Sequence, residues 1–445
     1  MGRKEQIKSK NNCIDKKSPN KTIKRKCPQD SAGKLFTFSA SKKIPCVYRF
    51  WAELKDLVDA SVLQQALENI MPRFPYYHVK LSRGLFWFKW KKVKELPKVE
   101  NELDYPCKFI KVRNGRTFPF RIIAYLNQII IEFFHGLTDG TGALIFLRSL
   151  IGEYLHLKGY NVKDWGDIFR PNSKMDPLES EYSYRKNYKP GIPKVPGIYR
   201  AYHLPLKRVK KGITYVTNVK LNVDEVLKVS RSFGISLTEF LASVYTDVMQ
   251  SIMFELRERG YKKKFRPIRI MVPVNTRNII PSKTMRNFTT FIAPGIEPRI
   301  GKYTFEEIIE SIHHLKKLSL TQKAIYQQIS NYVTIDRNPF LGMIPLVLKL
   351  WIMKPIYKKM GEELFSAFLT NLGKTEMPVE LSEVVKDIQI MPMNHPYFKT
   401  GCGFLTYFDE LNLNFVRNIE EDIVEQRFIE RLRDFGLEVV VKRLF

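Results

Sequence analysis

In "LVDASVLQQALENI" (57–70) apolar residues fall at 57, 58, 62, 63, 66, 67 and 70. That is helical spacing, with Asp59 or Ser61 placed to cap the first turn. Next come "YYHVKL" and "LFWFKW" around "SRG", which predict two strands joined as a hairpin. A second hairpin is predicted from "RIIAYL" and "QIIIEFF" around Asn127-Gln128. Its second strand is almost wholly apolar and so belongs in the middle of a sheet. That strand stops at His135. "HGLTDG" then reads as a tight loop with Gly136 and Gly140 as its flexible points. "TGALIFLRSLIGEYLHLKG" predicts a long helix ending at Gly159.

Prolines at 171, 177, 190, 193 and 196 among polar residues mark 166–211 as a crossing linker. Beyond it the pattern predicts a strand at 213–221, helices at 223–233 and 236–258, and strands in "IRIMVPVN" and "NFTTFIAPGI". A helix over "TFEEIIESIHHLKKLSL" follows, with strands at 365–371 and 402–416 and a last helix near 420–435. The most apolar stretch, 339–357, is interrupted by Lys349, Lys354 and two prolines, which makes it too short and too charged to span a bilayer. It suits a helix buried between lobes, with a helix lying on a membrane surface as the alternative. No internal repeat of fixed period is present.

A chain of 445 residues exceeds the usual single core, so two lobes are expected. Lys and Arg outnumber Asp and Glu by 74 to 45, a net charge of +29. Residues 1–34 hold eleven of those cations and three acids, net +8, which leaves +21 on the body. Residues 1–33 read as a disordered basic tail. The excess favours anionic partners in general, without choosing among a phosphorylated cofactor, an acidic carrier protein, anionic lipid or nucleic acid. Five cysteines at irregular spacing, with no CxxC, argue against a disulfide framework or zinc site and for a reducing compartment. His313 and His314 are neighbours on one helix and point apart, unlike an i, i+4 metal pair. No metal is expected.

Nucleotide-binding, serine-hydrolase and zinc-protease motifs are absent. What remains is H-x-x-x-D-G, His135 to Gly140. A histidine at the end of a buried strand is rigidly held, and its neutral imidazole can take a proton from a hydroxyl or amine near pH 7. Asp139 lies past a turn and need not touch the imidazole. A cation elsewhere in the fold is its natural partner, anchoring the loop. Gly140 allows a sharp turn into the helix.

With those residues in view, "EFFHGLTDGTGALIFLRSL" resembles the catalytic segment of the chloramphenicol-acetyltransferase-like superfamily of CoA-dependent acyltransferases, most of all bacterial alcohol acetyltransferase-like proteins. Similar stretches keep the same order: "RFPYYHVKLSRGLFWFKW", "VPVNTRNIIPSKTMRNF", "LTNLGKTEMP" and "CGFLTYFDELNLNF". The resemblance covers about 35–445. It implies an α/β fold of two chloramphenicol-acetyltransferase-like lobes, each a mixed sheet with flanking helices, at 34–165 and 212–445, with an active-site tunnel between them. It also implies that His135 is the general base for direct attack on a thioester, and that Asp139 pairs with Arg277 of the second lobe. Thr370 would serve the oxyanion and Asn371 the substrate side, although both also suit plain strand packing. Lys283 or Arg286 would meet coenzyme A phosphates.

The implied activity is acyl transfer, acetyl first, from coenzyme A as co-substrate to an alcohol in the cytoplasm. No cofactor is tightly bound and no nucleic acid partner is implied. An acyl-carrier-protein donor, peripheral membrane contact and a non-catalytic binding relative are the alternatives. Phe134 stands where peptide-condensation domains carry a second histidine. "RDFGLE" near the C-terminus is not the corresponding motif of the plant enzymes.

Overall fold

Two sheets divide the apolar strands of the chain between them. In the computed structural model the described residues are 26–101, 105–210, 213–360, 362–393 and 398–444. Cys13, His395 and the basic run at 21–25 lie outside them. Order begins earlier than expected, with β1 (Lys26–Pro28) and α1 (Ser31–Ser39). Asp30 caps α1 by accepting from the Gly33 amide, and the helix buries Thr37 and Phe38. The segment 26–33 is thus part of the fold and not of a tail.

The first half continues through β2 (Val47–Leu54), α2 (Ala60–Ile70), β3 (Val79–Ser82), β4 (Lys89–Lys92), β5 (Val99–Asn101), β6 (Phe120–Tyr125), β7 (Gln128–Phe134) and α3 (Gly140–Leu157). Asp59 is the cap of α2, accepting from Ser61 and Val62. Residues 161–210 carry little regular structure beyond the single turn α4 (Ser183–Lys186).

The second half runs β8 (Tyr215–Asn222), α5 (Val223–Ser232), α6 (Leu237–Glu258), β9 (Ile268–Asn275), β10 (Thr289–Ile292) and β11 (Gly295–Ile296). Then come α7 (Phe305–Ser319), α8 (Gln322–Arg337), α9 (Pro339–Met343), α10 (Leu346–Met360), β12 (Ala367–Thr375) and β13 (Val385–Met391). The chain closes with β14 (Thr400–Tyr407), β15 (Glu410–Arg417), α11 (Ile423–Asp434) and β16 (Val440–Arg443). The strand expected at 402–416 is a hairpin, β14 against β15, turning at Phe408 with φ of 52°.

One sheet has the order β13-β2-β7-β6-β5 and the other β10-β9-β12-β14-β15-β8-β16, with β11 beside β9. Both are mixed: β5 runs parallel to β6, and β12 runs parallel to β9 and β14. A small sheet, β1-β4-β3, lies apart. The boundary at 212 is therefore crossed, because β13 comes from the second half of the chain and pairs with β2 of the first.

β7 takes the middle of its sheet, as its apolar run predicts. Its one charge, Glu132, is buried opposite Arg49 of β2 and Arg121 of β6. Arg49 Nε donates to it at 2.9 Å, and Arg121 and the Cys107 amide complete the set. The stretch 339–357 departs from expectation. It is helical but not buried between lobes, since Phe340, Met343, Val347, Leu348 and Trp351 are exposed. Removing the central carboxylate strands two cations in the sheet. Glu132→Ala should lower unfolding free energy by about 3–5 kcal/mol in a denaturant titration.

Candidate functional site

β7 delivers His135 to the edge of the first sheet, where its amide donates to Cys46 O at 2.8 Å. The ring is clamped on two sides. Phe36 of α1 stacks on it with centroids 4.1 Å apart and planes 15° from parallel. Tyr48 meets it edge-on at 4.9 Å. His135 Nδ1 lies 3.2 Å from Asn287 Oδ1; with the proton on Nδ1 it donates to that oxygen, and the lone pair then falls on Nε2. The amide nitrogen of Asn287 faces the Asp30 carboxylate of the α1 cap. Burial pushes the His135 pKa below the usual histidine value, against opposing pulls from its own carbonyl, Asp139 and Asn287. The imidazole is therefore neutral at pH 7, as a base requires.

Asp139 occupies a different position. It is 1 % exposed and caps α3, accepting from the Gly142 amide at 3.2 Å. Arg277 donates to it twice, Nη1 to Oδ2 at 2.8 Å and Nη2 to Oδ1 at 3.3 Å, and the Phe288 amide adds 2.8 Å. The guanidinium also donates to the carbonyls of Thr284 (3.0 and 2.8 Å) and Arg286 (2.6 Å) and to Asn275 Oδ1 (3.2 Å). Both charges are thus fully hydrogen-bonded, the condition under which a buried pair holds. The loop is stapled further: the Tyr48 hydroxyl bonds the carbonyls of Thr138 and Asp139, while Thr138 Oγ1 and the Tyr77 hydroxyl both donate to Met285 O.

The glycines act differently from the sequence expectation. Neither Gly136 nor Gly140 adopts a left-handed conformation. A Cβ at Gly140 would stand 2.6 Å from Leu372 Cδ1, and one at Gly142 would stand 2.3 Å from Thr138 Oγ1 and 2.7 Å from Met285 O. Close approach of neighbouring groups, Leu372 and Met285 from the second lobe and Thr138 from the loop itself, and not turn geometry, demands glycine here.

The remaining candidates divide. Thr370 lies half-buried on β12, two residues before the Leu372 that covers Gly140. Asn371 is exposed, with its amide donating to Thr238 Oγ1 at 2.9 Å and its oxygen accepting from Gly373 N at 2.7 Å. Alternation along the strand turns it the opposite way from Thr370. Lys283 is exposed and pairs with Asp176 at 2.8 Å. Arg286 is not available to a phosphate: it is buried, donates to Pro28 O at 2.6 Å and faces Asp30. Phe36, Tyr48, Asp30 and Asn287 escaped the sequence analysis. Asn287 sat in a quoted segment, "TMRNF", and Asp30 lay in what read as tail. Among the described residues no group of three or more His, Cys, Asp or Glu could hold a metal.

Asp139→Asn and Arg277→Ala each leave a buried charge without its partner. Each should cost about 3–5 kcal/mol and lower the melting temperature together with activity. The histidine sets a pH dependence of its own. An unfolded histidine takes its proton near pH 6.5 and the folded one only below that, so stability falls as pH drops through that window. The acid limb of a kcat/KM profile should likewise lie below about pH 6.5.

No family model matches the chain, and no curated protein matches it. Solved structures do. Polyketide synthase associated protein 5 from Mycobacterium tuberculosis superposes with a TM-score of 0.56 at 14% identity, over 91% of this chain and 96% of that one. The wax ester synthase/diacylglycerol acyltransferase from Marinobacter aquaeolei VT8 gives 0.54 at 12%, over 92% and 99%. The condensation domain from the Monacolin K polyketide synthase MokA gives 0.56 at 10%, over 92% and 96%. With two mixed sheets, flanking helices and this order of segments, the chain has the chloramphenicol-acetyltransferase and condensation-domain-like fold.

Proposed function

We propose that this protein transfers an acyl group from a thioester to an alcohol, with His135 as general base. The observation that carries it is a neutral imidazole at the end of a central strand, with Nδ1 held by Asn287 and a loop locked to the second lobe by Arg277. His135 Nε2 takes the hydroxyl proton as the acceptor oxygen attacks the thioester carbonyl. The C–S bond then breaks, and the departing thiolate receives that proton from the imidazolium. Thr370 is the candidate donor to the tetrahedral oxyanion, and Asp139, with Gly140, holds the loop geometry. Acetyl-coenzyme A is the donor of first choice. Lys283, exposed near the Arg277 loop, is the cation left to meet its phosphates once Arg286 is set aside.

A carrier-protein thioester is the second reading. It is favoured by the +29 charge, which suits an acidic carrier, and by the similarity to domains of polyketide and nonribosomal peptide synthetases. Mass spectrometry of products from acetyl-coenzyme A, or a loaded carrier, with a panel of alcohols decides between them. His135→Ala should lower turnover by about 10² to 10⁴ while the protein stays folded. Undiminished turnover would remove the mechanism.

A further inference from the structure

Helix α10 packs Leu346, Leu350 and Met353 on the core yet leaves other apolar side chains outside. Its buried face includes Lys349, whose ammonium donates to Phe86 O at 2.8 Å and sits 3.6 Å from the Trp87 ring centre. Its outward stripe is Val347, Leu348 and Trp351, the last 79 % exposed. The stripe does not end with the helix. Leu346 N donates to Leu85 O at the tip of the β3–β4 hairpin, and Lys349 Nζ reaches Gly342 O of α9. These bonds bring the segments that carry Leu85 (73 % exposed), Phe340 (75 %) and Met343 beside α10. Exposed apolar side chains gathered on three bonded segments, a tryptophan and a phenylalanine among them, are more than a soluble surface ordinarily leaves open.

The surroundings say what covers it. Between 337 and 361, apart from the inward-turned Lys349, the sequence has Arg337, Lys354, Lys358 and Lys359, with the nearest acids at Asp336 and Glu362 on either side. Between 79 and 94 it has Lys80, Arg83, Lys89, Lys91, Lys92 and Lys94, again with no carboxylate. Arg83 and Lys89 are exposed on either side of Leu85 and Phe86. At the base of the same hairpin lies a cleft of about 420 Å³, lined by Lys80, Arg83, Lys91, Arg113 and Arg116 against the single acid Glu95. Two copies of such a face repel each other, whereas an anionic surface attracts it. Among the described residues no helix is long and apolar enough to cross a membrane, so a bilayer would be touched and not spanned.

We infer that α9, the start of α10 and the β3–β4 tip form a docking face for a bilayer rich in anionic phospholipid. Apolar side chains enter the headgroup boundary and the flanking cations take up phosphate charge. α10 packs on α1, and α1 carries the Phe36 that stacks on His135. The face is thus one helix away from the imidazole, placed to hand over an acceptor dissolved in the membrane. That last step rests on the acyl-transfer reading; the docking does not.

The full chain is sedimented with vesicles of phosphatidylcholine alone or mixed with phosphatidylglycerol. Binding to the mixed vesicles is expected, with a blue shift of Trp351, the only tryptophan exposed beyond a third among the described residues. Val347→Ser with Leu348→Ser, and separately Arg83→Ala with Lys89→Ala, should each weaken binding by about tenfold or more with unchanged melting temperature. His135→Ala should bind vesicles as the parent does, so loss of chemistry and loss of docking register separately. Parent-like binding by both double variants overturns the inference, as does failure to bind mixed vesicles. A dimer in solution that Val347→Ser with Leu348→Ser disperses, without vesicle binding, would assign the face to a second copy and also overturn it.

Discussion

The Asp139–Arg277 pair is the constraint on which the site depends. One carboxylate ends the loop that follows the central strand, caps the helix behind it and accepts from the second lobe. One guanidinium gathers the carbonyls of its own loop and presents what remains to that carboxylate. Because every donor and acceptor is used, the pair fixes a distance between the two halves as well as an energy. His135 inherits that distance: its Nδ1 partner, Asn287, is the residue before the Phe288 whose amide also binds Asp139. The imidazole and the side chain that faces its Nδ1 are thus set by a single junction.

Around that junction the two lobes meet with almost no slack. Gly140 and Gly142 are glycines because Leu372, Thr138, Tyr77 and Met285 already fill the space. The same tightness explains why Asp139 sits beside the histidine without bonding it. It acts on the imidazole only through charge, opposing the effect of burial.

How much of this was legible from the residues follows from how local each feature is. Periodicity located α2, α3, the β6–β7 hairpin and the buried placement of β7, since each carries its signal within its own span. The Asp59 cap was equally local. The Asp139–Arg277 contact joins residues 138 apart and became visible only through resemblance to other chains, not through spacing. Asp30 was lost for the converse reason, because the start of a short helix in a lysine-rich N-terminus looks like solvated tail until its tertiary partners, Asn287 and Arg286, are seen. Phe36 fell inside the expected first lobe, but nothing in its own span signals its stacking on His135. Arg286 misled because its charge suggested phosphate, whereas burial turned it inward. α10 misled in the other direction: an apolar run is ordinarily core, and only the position of its lysine reveals which side faces out.

The placement of β13 has a consequence for how the protein is made. The first sheet has its β2 edge covered only when residues 385–391 have been synthesised, long after the rest of that sheet has emerged. Until then β2 offers an open ladder of amides and carbonyls from a strand that reads "VYRFWAEL". The nascent first half therefore carries a sticky edge through more than half of translation, and the late strand seals it. A chain cut at the linker would keep His135 and the whole H-x-x-x-D-G loop yet lack both Arg277 and the strand that closes its own sheet. The lobes are separate as layers of packing but not as units of folding.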